Sequence, residues 1–319
     1  MKSISVKFCS VALISLLSTQ VALAENLFPE PAFVSLKESN QVAQYPGQSI
    51  WQGGPKMLYN SITPDGKKLV VSSPKESSIY VFDTKTGKQL GVVKCDKASK
   101  GLKITPDGKE VYVSNEAANS ISVVDLAAMK VVATIPTAEM PHNVRFTQDG
   151  KTAYVTLQGG AGLGVIDTGK RKVTKVIPTP GINNPHNLDL SKDETLAFIR
   201  DTSGLVGVLE INSGKVKKII KVGKGHAGID VIPNGKLVFT GAIADDVVTV
   251  IDANTYEVIK QIKVGFGPHG VRASKDNRWL YVSITADDQL AVIDTQKLEV
   301  VKTNKLASFP FWVSVNGNP

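Results

Sequence analysis

A chain of 319 residues that is 42% hydrophobic but only 6% aromatic is long enough for a large core. Its two cysteines, Cys9 and Cys95, are too few for a disulfide framework, and no apolar run beyond the first 24 residues approaches membrane length. The net charge of +8 raises the question of a polyanionic partner.

Residues 1–24 read as a secretory signal: Lys2 and Lys7, an apolar middle from Phe8 to Leu17, and the small-residue site Ala22-Leu23-Ala24. Cleavage after Ala24 is expected to release a periplasmic or secreted chain of net charge +6 whose one cysteine is Cys95. With no cysteine left to pair with, Cys95 is read as a free surface thiol.

Residues 25–47 form a lead-in with two apolar pieces, 32–36 and 41–45. From about Pro55 a short β-type run ending in an acid recurs: Val81-Phe82-Asp83, Val123-Val124-Asp125, Val165-Ile166-Asp167, Val208-Leu209-Glu210, Val250-Ile251-Asp252 and Val292-Ile293-Asp294. Successive acids are 42, 42, 43, 42 and 42 residues apart, a spacing that signifies a structural repeat. Each unit holds four short runs rich in Val, Ile, Tyr and Thr. In the third unit strands are expected at 142–146, 152–157, 163–167 and 172–177, separated by Gly, Asp and Pro. No segment after residue 24 has convincing helical periodicity.

Four antiparallel strands at this period are the blade of a β-propeller. Full units begin near residues 56, 101, 142, 186, 226 and 269. The lead-in supplies strands without an innermost one, and residues 311–315 supply an innermost strand without partners. Joined, they make a seventh blade of three or four strands and close the ring in a single domain, residues 25–319. The acids after each third strand, and the Asp-Gly pairs after each first, are read as turn caps.

The run Thr105-Pro106-Asp107-Gly108-Lys109-Glu110-Val111-Tyr112-Val113-Ser114-Asn115, followed by Ser120-Ile121-Ser122-Val123-Val124-Asp125, resembles the YVTN-type β-propeller repeat. Tyr154-Val155-Thr156 and Tyr281-Val282-Ser283 repeat its core. The resemblance spans nearly the whole chain after residue 24. It implies a periplasmic or surface propeller similar to YncE-like proteins and, more distantly, to the cytochrome d1 propeller. It speaks to fold more than to function.

The histidines carry the functional signal. There are four, His142, His186, His226 and His269, and all lie at the start of a first strand, in Pro141-His142-Asn143, Pro185-His186-Asn187, Gly225-His226-Ala227 and Pro268-His269-Gly270. Aligned through the turns, one position per blade reads Leu58, Lys100, His142, His186, Ala227, His269 and Phe311, with His226 one residue before its slot. First strands line the channel of a propeller, so the imidazoles are expected to form an arc at its mouth. His142, His186 and His269 are the expected first metal ligands, and His226 a fourth or swing ligand. Asp201, Asp245, Asp246, Asp287 and Asp288, in loops on the same face, are expected to back them. An all-imidazole set favours copper, zinc, nickel or iron over magnesium or calcium. Tyr59, Lys100, Phe311 and Trp312 give the opposite side of the mouth an aromatic and basic character suited to an organic or anionic group.

Arg145, Asp189, Asp230 and Arg272 share one strand position on successive blades and are expected to pair between them. Lysines such as 170, 172, 215, 217, 218 and 221 fall on outer strands and far loops, where a solvated rim is expected. Three functions stand in order. The first is an exported binding protein, expected to be monomeric, with a transition metal or metallocofactor at its mouth. The second is a non-enzymatic scaffold for a protein, peptide or single-stranded nucleic acid. The third is a lyase or hydrolase with a histidine general base. No Gly-rich phosphate loop and no Gly-x-Ser-x-Gly elbow is present.

Overall fold

The computed structural model describes residues 28, 31–47, 49–160 and 162–317. The expected export signal, residues 1–24, lies outside them. The described chain forms seven four-stranded antiparallel sheets in one ring, and its only helical element is a single 3-10 turn at Glu116–Ala118. In chain order the blades are β4–β7 (Asn60–Ile62, Lys68–Ser73, Ser78–Asp83, Gln89–Lys94), β8–β11 (Ser99–Ile104, Glu110–Asn115, Ser120–Asp125, Lys130–Pro136) and β12–β15 (Pro141–Phe146, Thr152–Leu157, Gly162–Asp167, Lys172–Ile177). They continue with β16–β19 (Asn187–Leu190, Leu196–Arg200, Leu205–Glu210, Lys215–Lys221), β20–β23 (Ile229–Val231, Leu237–Thr240, Val247–Asp252, Val258–Lys263) and β24–β27 (Pro268–Ala273, Trp279–Ile284, Gln289–Asp294, Glu299–Lys305).

The seventh blade joins β28 (Pro310–Val315) to β1–β3 (Ala32–Leu36, Gln41–Tyr45, Ile50–Gln52) in the order β28-β1-β2-β3. It has all four strands, where the sequence left three or four open. The reason is short: Ile50–Gln52 pairs with β2 through only three residues, too brief a run to read as a strand in sequence. Ser35 faces Trp312 across the junction, and the Trp312 N–H donates to Ser35 Oγ at 3.3 Å. The ring therefore has no open inner edge.

Apolar side chains of second and third strands pack between blades. Phe239, Val248, Val250, Val271, Val282 and Ile293 form one such layer. The recurring acids do cap turns: Asp125 Oδ1 accepts from the Ala127 and Ala128 N–H groups at 2.8 and 2.7 Å, and Asp252 Oδ1 from Asn254 and Thr255 at 2.8 and 2.9 Å. Fourth strands face water, with only one of seven residues buried in β19. They carry the lysines expected on the rim.

Adjacent blades are closest around the channel. A methyl group on Gly101 would lie 1.8 Å from the His142 carbonyl oxygen of the next blade. Gly101→Ala should therefore destabilise the fold by about 1–3 kcal/mol, the usual cost of overpacking, read as a lower chemical-denaturation midpoint at unchanged m-value.

Candidate functional site

Four of the first strands, β8, β12, β24 and β28, carry a one-residue register shift near their start: between Ser99 and Leu102, between Pro141 and Val144, between Pro268 and Val271, and between Pro310 and Trp312. Such a bulge re-aims the side chains that precede it. His142 and His269 sit inside these shifts, His186 one residue before β16, and His226 in the loop before β20. Side-chain hydroxyls of second strands tie this tier between blades. Thr156 Oγ1 donates to the His186 carbonyl at 2.6 Å, and Ser283 Oγ to the Phe311 carbonyl at 2.8 Å.

The four imidazoles form a continuous arc. Ring centroids are 3.9 Å apart for His142 and His186, which stack, 4.5 Å for His186 and His226, and 5.2 Å for His226 and His269. One nitrogen from each of His186, His226 and His269 lies within 4.8 Å of the others. His142 is not in this group, which differs from the ligand order that its spacing suggests. Both of its nitrogens are engaged: Nδ1 meets Glu116 Oε1, and Nε2 meets Tyr59 Oη at 2.7 Å. Lys100 Nζ in turn salt-bridges Glu116 Oε2.

The remaining bonds decide which nitrogens are free. His269 Nδ1 lies 2.9 Å from the Phe311 carbonyl oxygen. A carbonyl only accepts, so Nδ1 carries the proton and Nε2 presents a bare lone pair. That Nε2 is buried and has no hydrogen-bond partner among the described residues; the same holds for His186 Nε2. His186 Nδ1 meets the Gln158 side-chain amide. The amide Nε2, a donor, faces Nδ1, so Nδ1 accepts and the neutral ring carries its proton on Nε2; a half-turn of the amide would make Nδ1 the donor and free Nε2 as a lone pair.

Burial is the main cause that holds all four imidazoles below their ordinary pKa. For His186 and His269 the shift is large, with neighbouring histidines adding to it. His226, half-exposed, is lowered to about 4, and for His142 the Glu116 carboxylate opposes the effect of burial without cancelling it. Burial pushes Glu116 upward, but its bonds to His142 and Lys100 outweigh this and leave it lowered. The imidazoles are thus neutral near pH 7, the form that binds metals. Burial and the Glu116 charge push the Tyr59 hydroxyl far up. A phenol so hard to ionise is a poor nucleophile, so the Glu116–His142–Tyr59 chain acts as a brace that fixes His142 behind the other three rings.

Two expectations need correction. The loop acids do not back the histidines. Asp201 accepts the Ser203 and Leu205 N–H groups at 2.9 and 2.7 Å, Asp287 that of Phe266 and Asp288 that of Phe309, each at 2.8 Å, Asp245 that of Asp246 at 2.9 Å, while Asp246 pairs with Lys263. They shape their own loops. Cys95 is not a surface thiol but half-buried against an apolar cluster, and burial pushes its pKa up to about 12. The aromatic side of the mouth is filled. Phe311 lies against His269 with ring centroids 4.0 Å apart, and Tyr59 against Trp312 at 4.6 Å; Lys100 is the partly exposed member of that set. The sequence reading missed Glu116 and Gln158. Each directly follows a second strand, on successive blades, and that shared position was the available signal.

A family model described as YNCE-like beta-propeller matches residues 53–190, and one described as a domain of unknown function, DUF5074, matches residues 186–314. A comparison with curated proteins returns no match. Among solved structures, Kuenenia stuttgartiensis hydrazine synthase is similar with a TM-score of 0.74 and 21% identity, over 84% of this chain and 91% of that one. A functionally unknown protein from Desulfotomaculum acetoxidans gives 0.75 and 15%, over 91% and 99%. Dihydro-heme d1 dehydrogenase NirN, in complex with DHE, gives 0.68 and 17%, over 90% and 75%. At these identities the likeness is one of fold. The repeat, the seven four-stranded blades and the match over residues 53–190 agree: the chain is a seven-bladed β-propeller similar to the YncE-like family.

Proposed function

We propose that this is an exported propeller whose histidine tier binds a transition metal or a metal-bearing cofactor, with His186, His226 and His269 as ligands. The observation that carries this is the pair of buried imidazole nitrogens without a hydrogen-bond partner among the described residues, His186 Nε2 and His269 Nε2. Leaving buried polar atoms unpaired is costly, and a cation between them would take the His269 lone pair directly and that of His186 once the Gln158 amide turns its oxygen to Nδ1. Copper, zinc and iron suit imidazole ligands. When bound, such an ion would offer a Lewis-acidic or redox centre. Tetrahedral imidazole ligands at 2.0–2.1 Å place their nitrogens about 3.3 Å apart, closer than the 4.8 Å limit that holds here. His226, in a loop and half-exposed, is the ring best able to swing in. NirN, similar in fold and described in complex with DHE, supports a tetrapyrrole-type cofactor within the same proposal.

The test uses tag-free protein stripped with a chelator and titrated with Cu(II), Zn(II) and Ni(II). One equivalent should bind to the wild type with imidazole signatures in the Cu(II) spectrum. Failure of all three metals to bind stoichiometrically overturns the reading. The scaffold reading has one observation in its favour, the row of exposed lysines on β19. It requires partner binding that falls steeply with salt and ignores changes to the histidines.

A further inference from the structure

Below the histidine tier lies a second ring. Three residues after the mouth position, the first strands carry Ser61, Lys103, Arg145, Asp189, Asp230, Arg272 and Ser314 in order around the channel. Strand pairing confirms that six of them are equivalent: each faces the matching residue of its second strand, Val70, Tyr112, Tyr154, Phe198, Phe239 and Tyr281. The belt thus holds three cations against two carboxylates. Arg145 Nε donates to Asp189 at 3.1 Å, and Arg272 Nη1 to Asp230 at 2.6 Å.

Lys103 is left over. Its side chain is 9% exposed and makes no hydrogen bond or ion pair with a described residue. Its neighbour Arg145 is 5% exposed, and its Nη2 is buried without an acceptor. A cavity of about 380 Å³ opens onto Lys103, Arg145, Asp189 and Arg272. Much of the remaining lining is apolar, Pro64, Pro106, Phe146 and Ile232 among it, beside the polar Gln148, Lys192 and Glu194. That volume lies in the range of small-molecule sites. Burial, then the charges of Arg145 and Arg272, weigh against the Lys103 ammonium and outweigh the support of Asp189 and Asp230, a deficit that an arriving negative charge would relieve.

We propose that this cavity is an anion site for a small organic carboxylate, its charged group bound by Lys103 and the free Nη2 of Arg145 and its apolar body against the proline-rich wall. Two donors without acceptors supply the recognition, and the odd cation supplies the charge balance. The wall rules in favour of an apolar body over a bare inorganic ion. The site is independent of the histidine tier and stands whether or not that tier binds metal.

The test is calorimetry and thermal melting of chelator-treated full-length protein with acetate, benzoate and the neutral analogue benzamide. Benzoate should bind one to one and raise the Tm, acetate should bind more weakly, and benzamide should do neither. Lys103→Met should weaken benzoate about tenfold or more, since charged hydrogen bonds are being lost. It should also melt no lower than the wild type without anion, because it removes a buried unpaired charge. Lys103→Gln, which keeps a polar donor, checks the same loss should the methionine variant misfold. No benzoate response in the wild type, or an undiminished response in both variants, would overturn the proposal.

Discussion

Replacing His269 by alanine should lower affinity for Cu(II) or Zn(II) at least 100-fold, while the same change at His142 should cost much less. Both are buried histidines in bulged strands at equivalent places in their blades, so sequence position cannot tell them apart. Their bonds can. The Phe311 carbonyl fixes the proton of His269 on Nδ1 and aims an unoccupied Nε2 at its neighbours. His142 has spent both nitrogens on Glu116 and Tyr59. Losing an outer partner of a metal ligand costs roughly 10–100-fold, and loss of the ligand itself should exceed that. For His142→Ala, roughly tenfold through lost support of the His186 ring is expected. Gln158→Ala belongs with the outer partners, because that amide sets which His186 nitrogen is free. Competition titration against a chromophoric chelator measures all three. Equal losses for His142 and His269 would contradict the assignment.

The second large effect is acid lability of the metal-free protein. All four histidines are held below the ordinary value of 6.5, His226 down to about 4. An unfolded chain takes up these protons near pH 6.5, whereas the native one resists until lower pH. The unfolded state thus binds more protons in this interval, and stability falls as pH falls. The contribution is whole above about 6.5 and drains away toward 4. Each well-buried histidine adds a slope of at most about 1.4 kcal/mol per pH unit, and half-exposed His226 adds less. Asp230 titrates with the opposite sign: burial is the chief cause that lifts it to about 6, so its native form takes up a proton early and offsets part of the loss. A net loss of a few kcal/mol by pH 5 is expected, a large share of ordinary domain stability. Denaturation midpoints between pH 7.5 and 4.5, with chelator present, measure it. A flat profile from 7 to 5 would contradict the burial of these rings. Ordinary carboxylates titrate below this interval and cannot produce the early part of the slope.

Much of the fold could be read in the sequence because its period is regular. Strands expected at 152–157 and 172–177 coincide with β13 and β15, since Asp-Gly and Gly-rich turns fix both ends. The closeness of His186 and His269 to His226 was suggested by one alignment position per blade, with His226 one residue before its slot. What escaped depends on contacts between blades. Glu116 reaches His142 from the neighbouring blade, and no local spacing encodes that meeting. The tautomer of His269 is set by the backbone of Phe311, 42 residues away. Lys103 went unnoticed beside Arg145 and Asp189 because a lone lysine in a strand looks like a solvated one. Only its burial gives it meaning. The bulges matter here too. Simple alternation would send residues three apart to opposite sides, yet the one-residue shifts let both the histidine tier and the charged belt converge on the axis.

The junction between β28 and β1 has a consequence for biogenesis. Ser35 must meet Trp312 across 277 residues. A chain made from its amino end therefore shows one raw strand to its surroundings through almost all of its synthesis. Folding of such long-separated pairings is slow, and an unguarded strand invites other chains. Pairing of β28 with β1 is thus a single late latch that closes the ring.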